Sequence, residues 1–313
     1  MLIKFILFIL KINYCLSYSN YLNLFLTNRE LNKYINKGFL PRGFELYREN
    51  SKYLLEGPLN NKQIDKFYNE GYIIIENLIS DELLYSIKKK KFKNEYNLKE
   101  YGSIVFNPLN NDFDFKKVVY EIGKAVAQLT PQVNNNNDEL YAINNKLLKF
   151  NGGINGKSKG FNWHINKVPI CENTLGPGIN AYLALDNVDE NGGGICIAIK
   201  SHTHKYINYR NNINNNIIKD LDKIIYAPIL NEGDVILSTR YLFKRTSEFN
   251  NPNAKKNIRR YIINYMPSSA IVNDINYKNK TIKELSKNNK YNEKFIKIPL
   301  IKKYSYKYNY DYL

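Results

Sequence analysis

The chain has 313 residues, 43% of them hydrophobic, and 46 Lys and Arg against 29 Asp and Glu give it a formal net charge of +17. That length and apolar fraction exclude a disordered chain and allow one sizeable core or two modest ones. The basic balance suggests phosphate-bearing partners, yet the lysines are scattered among asparagines and tyrosines with no recognised reading module, so no nucleic-acid partner is expected.

Taken in chain order, residues 1–19, MLIKFILFILKINYCLSYS, read as a secretory signal peptide: a lysine near the start, a short apolar run, then small and polar residues. Lys11 interrupts the run, which is too short for a transmembrane span. Residues 20–43 are basic with a single acid, Glu30. A signal followed by such a leader resembles the two-part address of plastid-targeted proteins in organisms with secondary plastids. The expectation is entry into the secretory pathway and passage to a plastid-type organelle, with secretion or membrane anchoring as the alternative. Of three cysteines, Cys15 lies in the signal, and Cys171 and Cys196 make neither a disulfide framework nor a zinc site.

From residue 58 the pattern sharpens. Ile64 and Phe67 lie three apart on a helix that Gly71 ends, the β-branched run 72–75 predicts a buried strand, and Ser80 caps a helix carrying Leu83, Leu84 and Ile87. The run KKKKFK at 88–93 reads as a solvated face. A further helix is predicted over 114–129, with Val118, Val119, Ile122, Val126 and Leu129 as its inner stripe, ended by Thr130-Pro131 and the asparagine run 134–137. The Asn-rich stretches NNKQ, NNNND, NNINNN and KYNEKF read as loop filling.

After residue 145 the texture changes. Segments 146–150, 181–185, 195–199, 224–230, 235–237 and 261–265 are short and strand-favouring, with Gly, Asn and Asp between them. Six such strands without long intervening helices predict an antiparallel barrel or double-sheet jelly roll, flanked by helices from the N-terminal part. Trp163 is expected to pack the barrel, Asp186 and Asp189 to sit in turns, and Gly192 to Gly194 to form a turn rather than a phosphate loop. The basic tail from Lys278 to Lys307 suggests an anionic membrane surface as a partner.

Five blocks then invite comparison with a family. GYIIIENLISDELL, WHIN at 163–166, AYLALDNVDENGGGICIAIKSH, NEGDVILSTRYLFKRTSEFN and RRYIINYMP occur in order between residues 58 and 268. Together they resemble the phytanoyl-CoA dioxygenase family of iron(II) and 2-oxoglutarate dependent oxygenases. The resemblance implies a mostly β fold with flanking helices and a double-stranded β-helix (jelly roll, cupin-like) core. It places that domain at 44–268 and leaves 269–313 as a basic extension. It also implies an iron(II) triad of two histidines and one carboxylate, with an arginine gripping the distal carboxylate of 2-oxoglutarate.

Matched residue by residue, His164 takes the first ligand position and Asn166 the carboxylate position. Counting from Gly233-Asp234 puts the second histidine at Lys244, whereas counting back from Ser247 and Asn250 puts it at Arg245. Neither cation donates a lone pair unless the lysine is strongly depressed. His202 and His204 match a Gly-Ser-His end that is not a ligand. Arg259 matches the cosubstrate arginine, with Arg260 beside it. The resemblance therefore implies a degenerate member that binds a carboxylate or acyl ligand in its barrel without a conventional iron site. The alternative is an active oxygenase of a lipid-like or other small substrate with a rearranged site. If the lysine ammonium fills the vacated metal position, Lys244 points into the barrel.

Overall fold

The computed structural model describes residues 53–55, 57–90, 95–97, 102–106, 112–130, 133, 138–151, 162–165, 174–175, 178–189, 192–202, 213–248, 257–272, 280–288, 295–300 and 302–304. The signal and leader readings, and Asn166, Cys171 and His204, lie outside them.

Strand β1 (Tyr53–Leu55) precedes α1 (Asn61–Glu70), β2 (Tyr72–Ile75) and α2 (Asp81–Lys88). Strands β3 (Tyr96–Asn97) and β4 (Gly102–Phe106) lead to α3 (Phe113–Gln128). Then come β5 (Leu140–Asn151), β6 (Thr174–Leu175), β7 (Ile179–Ala184), β8 (Ile195–Ala198) and α4 (Asn215–Asp222). Next are β9 (Ile225–Tyr226), β10 (Val235–Thr239), β11 (Lys244–Thr246) and β12 (Asn257–Pro267). The last are β13 (Ile271–Val272), α5 (Ile282–Ser286), β14 (Phe295–Lys297) and β15 (Lys302–Tyr304).

The larger sheet runs β2-β10-β7-β12-β5-β4-β3, with β14 also on β5, and every pairing is antiparallel. The smaller runs β11-β8-β9, and a bridge between His164 and Lys244 widens it, each residue's N–H donating to the other's carbonyl at 2.9 and 3.0 Å. Alternation sorts β12 into two faces. Tyr261, Ile263 and Tyr265 turn to the helices, joining Phe115, Val118, Val119 and Ile122 of α3 in the main core. Phe115 meets Tyr261 edge-on at 4.6 Å, and the Tyr265 hydroxyl donates to the Val119 carbonyl at 2.8 Å. Ile258 and Ile262 turn the other way, against Ile195 and Ile197 of the smaller sheet, with Tyr182, Leu148, Phe150 and Ile236. That second core is the inside of the jelly roll.

Two asparagine-rich stretches expected as loops begin helices instead. In NNKQ, Asn60 accepts from the Gln63 N–H at 3.0 Å while the Gln63 side chain accepts from the Asn60 N–H at 3.0 Å, a reciprocal capping box. In NNINNN, Asn214 accepts from the Ile217 N–H and caps α4, whose Ile217 and Leu221 are buried four apart. The strand expected over 224–230 shrinks to Ile225–Tyr226 plus a bridge between Leu230 and Val188. Residues beyond 268, expected as a basic extension, are partly woven into the fold. β14 pairs with β5, Ile282 and Leu285 are buried against Tyr141 and Met266, and Lys297 pairs with Glu139.

Gly71 ends α1 at a φ of 86°, donating its N–H to the Phe67 carbonyl at 2.8 Å. A Cβ there would come within 2.4 Å of His202 Nδ1 and 2.8 Å of Leu242 Cδ1. Gly71→Ala is therefore expected to cost about 1–2 kcal/mol of stability, from left-handed strain plus displacement of His202, measured as a lowered urea midpoint at unchanged slope.

Candidate ligand site

The inner face of the jelly roll holds an unusual set of side chains. Lys244 and Thr246 alternate inward from β11 while Arg245 between them turns out. The Lys244 ammonium or amine donates to the Tyr182 hydroxyl from β7 and lies 4.8 Å from that ring's centre. Only 4% of Lys244 is exposed. Arg260 enters the same space from β12: its guanidinium donates to Thr246 Oγ1 and stacks 4.4 Å from the Phe150 ring centre, while its Nε is buried without a hydrogen-bond partner. Lys146 of β5 adds a third positive charge, felt by both Lys244 and His164.

Electrostatics follow from this crowding. Burial first, then the charges of Lys146 and Arg260, push Lys244 well below the ordinary ammonium range. Burial lowers Arg260 to about 10, which leaves it cationic at neutral pH. Burial likewise drives Tyr182 above the usual phenol range, so its hydroxyl keeps its proton. His164 is lowered to about 4, by burial and then by Lys244, against the hydrogen bond between Nδ1 and the Asn162 carbonyl at 2.7 Å.

The other expected site residues separate. Arg259 occupies the opposite face of β12 from Arg260. Its Nε and one terminal nitrogen donate to the two Asp186 oxygens at 2.9 and 2.8 Å, its backbone N–H donates to the same carboxylate at 2.8 Å, and its second terminal nitrogen reaches the Lys88 carbonyl at 3.3 Å. It is a tie between β12, the turn after β7 and the end of α2. Arg259, expected to grip a carboxylate ligand, is thus engaged with Asp186, and Arg260 is the arginine of the pair that faces the barrel's interior. Arg245 lies outside the smaller sheet, 5.1 Å from the Trp163 ring centre, and pairs with Asp222 at 3.1 Å. Trp163 donates to the same Asp222 oxygen at 2.9 Å and packs under α4 with Ile217, Leu221 and Phe243, so it lines the outer face of that sheet rather than the barrel's interior. His202 faces Tyr68 and Gly71 near the end of α1, its Nε2 3.3 Å from the Tyr68 carbonyl. Neither Tyr182, inside one of the quoted blocks, nor Lys146 has a motif role there, and their placement near Lys244 rests on strand register that the sequence does not display.

These residues do not fit iron(II). Among the described residues no three His, Cys, Asp or Glu side chains gather in one place. Charged, Lys244 would oppose a divalent ion by about 8 kcal/mol at about 4 Å and an effective dielectric of about 20. Neutral, its nitrogen is engaged with Tyr182, and Arg260 and Lys146 still set positive charge nearby. The arrangement suits an anion.

No protein-family model matches the chain and no curated protein does. Solved structures do. The chain is similar to the non-heme alpha ketoglutarate dependent epimerase SnoN from nogalamycin biosynthesis, at 10% identity over 68% of this chain and 84% of that one, with a TM-score of 0.51. It is similar to the alpha ketoglutarate dependent carbocyclase SnoK from the same biosynthesis, at 13% identity over 72% and 87%, again with a TM-score of 0.51. EctD from S. alaskensis, solved with 2-oxoglutarate and 5-hydroxyectoine, matches at 15% identity over 71% and 81%, TM-score 0.51. The chain thus has the double-stranded β-helix fold found in these 2-oxoglutarate dependent proteins.

Proposed function

We propose that this chain is a degenerate relative of the phytanoyl-CoA dioxygenase-like oxygenases that has given up iron chemistry and uses its barrel to bind a small carboxylate or acyl ligand through Arg260. The observation that carries this reading is Lys244, buried inside the jelly roll on the strand beside His164, with Arg260 sharing its neighbour Thr246. Two buried cationic groups, Lys244 and Arg260, whose described side-chain partners are the Tyr182 and Thr246 hydroxyls and aromatic rings, need an anion or must lose a proton. Arg260 supplies fixed donors suited to a carboxylate, and its unpartnered Nε–H is the one ready to donate a new hydrogen bond.

Anaerobic titration with iron(II) and 2-oxoglutarate tests it. The expected result is no stoichiometric iron and no succinate release. Succinate or 2-oxoglutarate without metal should raise the thermal midpoint, by the equivalent of about 2.7 kcal/mol at about 100 times Kd, and Arg260→Met should abolish the rise. One ferrous ion per chain with turnover to succinate would establish the alternative, an active oxygenase.

A further inference from the structure

The pairing of a buried lysine nitrogen with a phenol, in a space that also holds an arginine, is the arrangement that carbonyl chemistry asks of a lysine. We propose that Lys244 is a carbonyl-reactive residue, whose amine condenses with the oxo carbon of a small oxo acid while Arg260 holds that molecule's carboxylate. The inference rests on the reading that the barrel takes a carboxylate.

Three observations support it. First, the lysine nitrogen has the Tyr182 hydroxyl as its side-chain partner and no described carboxylate to hold it as an ammonium. A desolvated lysine beside other cations is the environment that makes an amine nucleophilic at neutral pH. Second, Lys244 and Thr246 are two residues apart on one strand, roughly 7 Å along it, and the guanidinium of Arg260 rests on Thr246. Amine and guanidinium thus enter one interior space, where a small oxo acid would present its carbonyl to the first and its carboxylate to the second. Third, His164, next to Lys244 across the bridge, is partly exposed, which sets a partly solvated residue beside the buried amine.

The chemistry balances without an oxidant or metal. The Lys244 lone pair adds to the carbonyl carbon, a C–N bond forms as the C–O π bond opens, and a proton passes from nitrogen to oxygen to give a carbinolamine. Loss of that hydroxyl as water, with Tyr182 placed to protonate it and recover the proton from nitrogen, leaves the imine. Amine plus carbonyl gives imine plus water. Tyr182 stays protonated in this apolar setting, so its oxygen carries the proton the step needs.

Reductive trapping tests the idea on the full chain. With sodium cyanoborohydride and 2-oxoglutarate or pyruvate, peptide mapping should find the reduced adduct on Lys244 in preference to the exposed lysines. Propanal, which has no carboxylate, should label it more slowly. Arg260→Met should remove the advantage of the acids over propanal, and Tyr182→Phe should slow trapping by about 100-fold, as loss of a general acid does, in a chain that still unfolds cooperatively. Lys244→Met should show surface labelling only. Label spread over surface lysines with Lys244 unmodified in the native chain, while succinate still raises the midpoint, would overturn the imine and leave the carboxylate site standing. If succinate raises nothing either, the reading beneath it falls as well.

Discussion

Asp186→Ala is expected to lower stability by about 2–3 kcal/mol, a fall in thermal midpoint of about 4–10 °C for a chain of this size. The carboxylate accepts three hydrogen bonds from one residue, two from the Arg259 guanidinium and one from its backbone N–H. Burial alone would raise its pKa, but these bonds outweigh burial and hold it below the ordinary carboxylate value. Removing it leaves a partly buried guanidinium whose remaining described hydrogen bond is to the Lys88 carbonyl, at the end of α2, with the Glu232 charge nearby. The pair keeps 28% and 20% side-chain exposure, so the cost falls below that of a fully buried pair. Asp186→Asn, which retains the shape and two acceptor lone pairs, should cost about half as much. Neither variant should alter the rise in midpoint that succinate produces, because Arg259 and Arg260 stand on opposite faces of β12. Loss of that rise in Asp186→Ala at a normal fold would return the ligand-binding role to Arg259.

That opposition explains how much was legible beforehand. The run 72–75, the cap at Ser80 and the α3 stripe all appear as expected, since a β-branched run or a 3.6-residue period announces a buried face directly. In β12 the alternation already separates Arg259 from Arg260. It does not say which face is inside, because the larger sheet is apolar on both sides, against α3 on one and the smaller sheet on the other. The same holds at β11. Its sequence, Lys-Arg-Thr, has no strand-like composition, and two ways of counting named two different residues. Register resolves them: Lys244 stands opposite Ile197, which faces inward, while Arg245 stands opposite Cys196. Helix α4 was hidden for another reason. Asparagine is a poor interior residue but a strong cap, and a composition-level reading of NNINNN registers only the first property.

Acidification should unfold the protein earlier than its carboxylates alone would dictate. His202 is lowered to about 4 by burial, against the pull of the Tyr68 carbonyl, and His164 is lowered to about 4 by burial and by the charges of Lys244, Lys146 and Arg260. Both folded-state values lie below the unfolded value of 6.5. Between those limits the unfolded chain binds more protons, so stability rises with pH through the window, is fully present above about 6.5, and is lost as pH falls towards 4. Each imidazole contributes roughly 1–3 kcal/mol, the lower part of that range allowing for the partial exposure of both rings. The paired carboxylates Asp186 and Glu139, with folded values below 3.8 and 4.5, add losses of the same sign only at more acid pH. Urea midpoints should therefore fall steadily from pH 7 to pH 4.5. His202→Gln should remove about half of the imidazole part of that slope by leaving one ring to titrate, and Lys244→Met should flatten it further, by removing a buried lysine whose own folded value is lowered and a neighbour that depresses His164. A midpoint constant from pH 7 to pH 4.5 would mean that both rings are solvated in the folded chain. The cationic interior described for the barrel would then be open to water rather than closed.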